Sequence, residues 1–264
     1  MKIQLLEAIM VFDEMGLEHG KTLMLLPGTC CNYETNFGAV LDELGKRYHL
    51  ICVNYDGFDG SDLIFPDVIN VTEKIEQYIK EKHGGRVDGA LGSSLGGSFV
   101  GQLIMRRNVH VDHGIFGSSD LDQSGVFAAK LQTKIMYPII SSAAKKSGKQ
   151  GTMRKLMINT FQMSEETADK FMACFAQFKP ESILNEYYTD LITCLDEDIN
   201  VPHTRTHFIY ANKMGKKYEK RYRKYFHDPD IHEFDMQHEQ WLFGDNGWTK
   251  PVLETIYACM EMPV

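Results

Sequence analysis

Two serines stand between glycines in Gly92-Ser93-Ser94-Leu95-Gly96. The spacing G-x-S-x-G suits a nucleophile elbow, in which the chain leaves a strand and enters a helix within a few residues. The central serine is then held in a strained conformation, and glycines two positions to either side remove the side chains that would collide. Only Ser94 has a glycine at both offsets, and Ser93 is the competing hydroxyl. A serine hydroxyl is a poor nucleophile until an imidazole removes its proton, so attack on a carbonyl needs a histidine that folding delivers to it. Ten histidines are available. Cys30 and Cys31 offer a thiol instead, but Cys30 lacks a glycine-flanked turn.

Such a turn needs a buried strand before it and a helix after it. VDGAL suits the first and SFVGQLIMRR the second, with the helix N-terminus aimed at the serine. Further short apolar runs bounded by turn residues are TLMLLPG from Thr22, YHLICVNYDG from Tyr48, VDHGIFGSS from Val111 and RTHFIYAN from Arg205. Helical spacing separates several of them, over Thr35 to Gly45, Thr72 to His83 and Leu95 to Asn108. Alternation of this kind predicts a doubly wound α/β fold with a mostly parallel sheet. It stops between Asp120 and about Asn200, where the pattern is helical. Residues 1–119 and 201–264 therefore read as the core, and 120–200 as a helical cap inserted over the strand ends. Most histidines sit near turns or strands, as do His19, His49, His83, His110, His113, His203 and His207, and suit structural roles. His238 lies in a loop after the last strand-like run, IHEFD, and is the candidate base, with His232 inside that run as its understudy.

A formal charge of -8 argues against nucleic-acid binding, which needs a basic surface to release counterions. No run is apolar for long enough to span a bilayer, and Glu7, Asp13 and Glu14 interrupt the start MKIQLLEAIMVFDEMG, so neither a membrane span nor a secretory signal is expected. Six cysteines without C-x-x-C spacing read as reduced, buried thiols of a cytoplasmic protein. Within the cap, Lys130, Lys134, Lys145, Lys146, Lys149, Arg154 and Lys155 occur with no acidic residue between Gln123 and Ser164. That stretch reads as a solvated face or as a surface steering anionic substrates. Met136, Met153, Met157, Met163 and Met172 suit either an adaptable pocket lining or ordinary core packing.

Three more segments, in order along the chain with the serine turn, make the sequence resemble the α/β-hydrolase family over most of its length. Leu26-Pro27-Gly28-Thr29 ends a strand where that family usually has His-Gly and an oxyanion-hole residue. Asn54-Tyr55-Asp56-Gly57-Phe58-Asp59-Gly60-Ser61 looks like its D-x-x-G-x-G-x-S loop, and Met236-Gln237-His238-Glu239 falls where it carries its histidine. The resemblance implies a serine hydrolase acting on a carboxylic ester or related acyl compound, with Ser94 as nucleophile and His238 as base. The backbone N–H groups of Thr29 and Leu95 would form the oxyanion hole, and neither a metal nor an organic cofactor is required. The third triad member departs from the pattern, because the turn Tyr210-Ala211-Asn212-Lys213-Met214-Gly215 has no carboxylate. Asp120, one strand earlier, is the preferred acid, with Asp122 and Glu219 as alternatives; Glu219 can instead pair with Arg223 at i+4 on a helix surface. An acyltransferase using the same residues, or a non-catalytic ligand-binding protein on the same fold, are the rival readings. A homodimer is compatible with the sequence.

Overall fold

The computed structural model describes residues 10–143, 151–243 and 246–264. Seven strands form one sheet: β1 (Val11–Gly16), β2 (Thr22–Leu26), β3 (His49–Asn54), β4 (Arg86–Ser93), β5 (His110–Gly117), β6 (Arg205–Ala211) and β7 (Asp230–Phe234), in the order β1-β3-β2-β4-β5-β6-β7. All pairings are parallel except that of β1 with β3. Helices on both sides complete a doubly wound α/β architecture. Burial on two faces requires near-continuous apolar strands, and Leu23 to Leu26, Leu50 to Val53 and Phe208 to Ala211 are all buried. The edge strand β1 went unread in the sequence because it has no such run: its residues are exposed or half-buried, and it is held by main-chain pairing to β3.

Helices occupy the crossovers. Between β2 and β3 the expected single helix is two short ones, α1 (Tyr33–Phe37) and α2 (Leu41–Gly45). The next, α3 (Val68–His83), starts four residues before the expected Thr72, because the Asp67 side chain caps it by accepting from the Asn70 N–H. After β4 comes α4 (Gly96–Arg106). Between β5 and β6 lie α5 (Val126–Ala143), α6 (Thr152–Asn159), α7 (Glu165–Phe175) and α8 (Pro180–Ile192), with no named strand among them. In this stretch α7 touches α1 and α8 touches α3. The chain closes with α9 (Lys217–Tyr225) and α10 (Thr249–Met260).

Because β3 and β4 lie on opposite sides of β2, the winding direction reverses there. A crevice opens at the carboxyl ends of strands at such a reversal, which is where open α/β sheets bind ligands. Both Pro27-Gly28-Thr29 and Ser94 emerge at that point.

Met157, Met163 and Met172 are buried in the core, and Met136 and Met153 pack against it. Of the basic residues in this stretch, Lys130, Lys134 and Lys155 are exposed, whereas Arg154 pairs with Asp169 at 2.7 Å and Glu165 at 3.2 Å. Lys145, Lys146 and Lys149 lie outside the described residues. All six cysteines are free, and all but Cys194 are buried. Among the described residues no helix is long and apolar enough to cross a membrane.

Candidate active site

Ser94 follows the last residue of β4 with φ of 49°, in the left-handed region that a side chain occupies only under strain. The surrounding glycines make that conformation sterically feasible. A Cβ on Gly92 would fall 2.3 Å from the carbonyl of Gly96, and one on Gly96 would fall 2.0 Å from the carbonyl oxygen of Leu26. The turn is pinned by the Ser94 N–H, which donates to the Gly117 carbonyl at 2.8 Å and to Oε1 of Glu239 at 3.0 Å. Ser94 is half-buried and accessible, whereas Ser93 is 1% exposed.

Folding brings His238 to this serine across 144 positions, with Nε2 3.1 Å from the Ser94 Oγ. The loop after β7 supplies it, and the Phe161 ring packs against the imidazole with centroids 5.6 Å apart. Burial pushes the imidazole down from 6.5 to about 4, so the ring is neutral and able to accept a proton across the physiological range. His232 lies elsewhere, inside β7 and 3.4 Å from the Cys259 Sγ.

The loop after β2 lies directly against the elbow: a Cβ on Gly28 would be 3.4 Å from the Ser94 Cβ. Its conformation is fixed on both sides of Thr29. The Gly28 N–H donates to Asn36 Oδ1 at 2.8 Å, the Cys30 N–H donates to Glu186 Oε2 at 2.8 Å, and the Tyr55 hydroxyl donates to the Pro27 carbonyl at 3.0 Å. The N–H groups of Thr29 and Leu95 donate to no acceptor among the described residues. Two unspent donors beside a serine hydroxyl suit a developing oxyanion. The Cys30 thiol is fully buried and is pushed well up by burial and by Glu186, which removes it as a nucleophile at neutral pH.

None of the three expected acids reaches the histidine. No carboxylate oxygen among the described residues lies within 4.0 Å of a His238 ring nitrogen. Asp120 is instead raised by burial and by the charge of Asp122, and it shares its surroundings with Asp190 and Arg221. Asp122 is bound to Arg221 at 2.6 Å, and Glu219 pairs with Arg223 at 3.1 Å on the surface of α9. Asp120, the preferred acid, thus makes no hydrogen bond or ion pair with His238: Arg221 donates to the Asp120 carbonyl and pairs with Asp122 beside α9.

Two buried glutamates were not anticipated. Glu186 on α8 is fully buried, and Glu239, next to His238 with φ of 54°, is 3% exposed beneath the elbow. Glu239 also donates its N–H to the Ser118 Oγ at 3.3 Å. Burial raises both carboxyls from 4.5 to about 8, so each is a neutral acid near pH 7. The only sequence signal was positional: Glu186 lies three residues after Ile183, on the buried stripe of its helix.

A raised carboxyl stabilises the fold fully below 4.5 and less as pH rises toward 8, because over that window the unfolded chain has released a proton the folded chain still holds. Glu186→Gln keeps an acceptor for the Cys30 N–H and removes that titration. Urea unfolding between pH 5.5 and 7.5 is therefore expected to lose about 1.4 kcal/mol per pH unit of its downward slope. An unchanged slope would show that Glu186 ionises normally.

No family model and no curated protein matches this sequence. Solved structures do match. An α/β-hydrolase family protein from Desulfitobacterium hafniense is 16% identical with a TM-score of 0.74, covering 94% of this chain and 100% of its own. A thermophilic esterase from Thermogutta terrifontis is 13% identical with a TM-score of 0.73, covering 95% of this chain and 94% of its own. A lipase-esterase related protein from Clostridium acetobutylicum is 17% identical with a TM-score of 0.71, covering 95% and 99%.

Proposed function

We propose, from the α/β-hydrolase fold that these likenesses establish, that the chain is a serine hydrolase cleaving carboxylic esters through a Ser94–His238 dyad. The observation that carries the reading is the 3.1 Å approach of His238 Nε2 to the Ser94 Oγ at the carboxyl ends of the strands. Oγ attacks the ester carbonyl as its proton passes to Nε2. The tetrahedral oxyanion is met by the N–H groups of Thr29 and Leu95. Collapse breaks the bond to the leaving alkoxide, which takes the proton from Nε2 and departs as the alcohol. Water, deprotonated by the same imidazole, then attacks the acyl-enzyme and releases the acid, restoring Ser94. Residues 120–200 act as a cap over this site, and the free thiols suit a reducing cytoplasmic setting.

The test is labelling by a fluorophosphonate together with turnover of p-nitrophenyl acetate and butyrate. A stoichiometric serine adduct with ester turnover supports the hydrolase. Absence of both would favour the second reading, a non-catalytic binding protein, which draws its support from the missing carboxylate at His238.

A dyad has its own signatures. Asp120→Asn is expected to leave kcat within a few-fold of the unsubstituted chain, against a loss of about 10⁴ when a carboxylate that orients the histidine is removed. A large loss would return Asp120 to the triad.

With the imidazole lowered to about 4, activity depends on a base that is unprotonated above that value. Single-turnover acylation is expected to be flat from pH 6 to 8 and to fall only below about 5. A rate that halves near pH 7 would show a histidine held at an ordinary or raised value.

A further inference from the structure

Strand periodicity places a second group of reactive side chains on one face of the sheet. His207 on β6 is directly paired with Asp230 on β7, and Ile115 on β5 with His207. With a period of two, His113, His207, Asp230 and His232 all lie on that face, where the last turn of α10 adds Cys259. They stand nearer the amino ends of these strands, whereas Ser94 stands at the carboxyl ends.

We infer that His207, His232 and Cys259 form a three-residue binding site for a zinc-class divalent cation, with Asp230 at its mouth, distinct from the Ser94 site and independent of the hydrolase reading. One donor atom from each of His207, His232 and Cys259 lies within 4.8 Å of the others. One edge already has coordination length, with His232 Nε2 to Cys259 Sγ at 3.4 Å, and Asp230 Oδ2 lies beside the group, 3.3 Å from His207 Nδ1. A tetrahedral zinc with nitrogen, oxygen and sulfur ligands sets its donors about 3.3–3.7 Å apart. His207 is fully buried, and its Nδ1, though 3.3 Å from the Asp230 carboxylate, makes no hydrogen bond. Its other nitrogen, Nε2, is 3.2 Å from Nδ1 of His113. That is the arrangement in which a metal-binding imidazole donates its far N–H to a supporting group and turns its lone pair to the cation.

Charge and softness agree with this choice. A thiolate ligand and the nearby Asp230 carboxylate offset a divalent ion, and two imidazoles with one sulfur select zinc over magnesium or calcium. Ligation takes the proton from the Cys259 thiol, so affinity rises with pH. Asp230, whose side chain is 39% exposed, and half-buried His232 form the mouth through which an ion enters. An ion held here would tie β6, β7 and α10 together, and β7 leads directly to the loop that carries His238.

The test is titration of the whole chain with Co²⁺, followed by displacement with Zn²⁺. One Co²⁺ per chain is expected, with a thiolate-to-cobalt band in the near ultraviolet, intense visible bands of tetrahedral cobalt, and loss of both when Zn²⁺ is added. Cys259→Ser should remove the near-ultraviolet band, and His113→Ala should weaken binding about 10- to 100-fold through loss of the supporting group. Should Cys259→Ser fail to fold, His232→Ala removes a half-buried ligand and reads the same loss. Ser94→Ala should bind as the unsubstituted chain does. The inference is overturned if no such spectrum develops. It is also overturned if the spectrum survives in Cys259→Ser and His232→Ala, which would place the cobalt on another thiol such as exposed Cys194.

Discussion

Ser94→Ala is expected to lower p-nitrophenyl butyrate turnover by roughly 10³- to 10⁶-fold, with KM little changed and fluorophosphonate labelling lost. Removing Oγ deletes the atom that forms the acyl bond, while the Thr29 and Leu95 donors and the fold remain, so some rate above the uncatalysed background should persist. His238→Ala should cost a comparable factor, because a hydroxyl 3.1 Å from no base is as ineffective as no hydroxyl. The double variant should then be hardly worse than either single one, as expected of groups that act as a unit. Turnover surviving Ser94→Ala within tenfold would remove this serine from the chemistry, and circular dichroism would establish that the variant is folded.

Gly96→Ala is expected to be the most damaging small substitution in the elbow, costing about 3–5 kcal/mol in urea unfolding. The added methyl would sit 2.0 Å from the carbonyl oxygen of Leu26 and 3.0 Å from that of Pro27. Both are main chain, at the end of β2 and the start of the loop that carries Thr29, so no side-chain rotation relieves the clash. Either the loop moves and carries Thr29 out of register, or α4 tilts and moves Ser94. Activity should therefore fall even in the fraction that stays folded. Gly125→Ala is the control, since a Cβ there meets nothing within 4 Å. Equal stability for the two variants would mean that the turn is looser than its geometry implies.

These two positions also mark what was legible in the sequence. Ser94 and its glycines could be read because one backbone conformation demands them at fixed offsets, and His238 because it follows the final strand. The sheet was readable where strands are buried on both faces, as in β2 to β6, since such strands leave an unbroken apolar run. It was unreadable at β1, whose hydrogen bonds to β3 leave no mark on side-chain type. The acid was less legible for a related reason: Asp120 occupies a plausible place in the chain, but its surroundings are completed by Arg221, a hundred residues later. Glu186 and Glu239 escaped because a charged residue type ordinarily signals exposure, and these two are carried inside by the elements on either side of them.

Glu186 belongs to α8, yet its carboxyl grips the Cys30 N–H one residue beyond Thr29. The two are thereby mechanically joined: any shift of α8 pulls on the main chain immediately after Thr29, so the stance of one helix sets the stance of a loop some 156 positions before it.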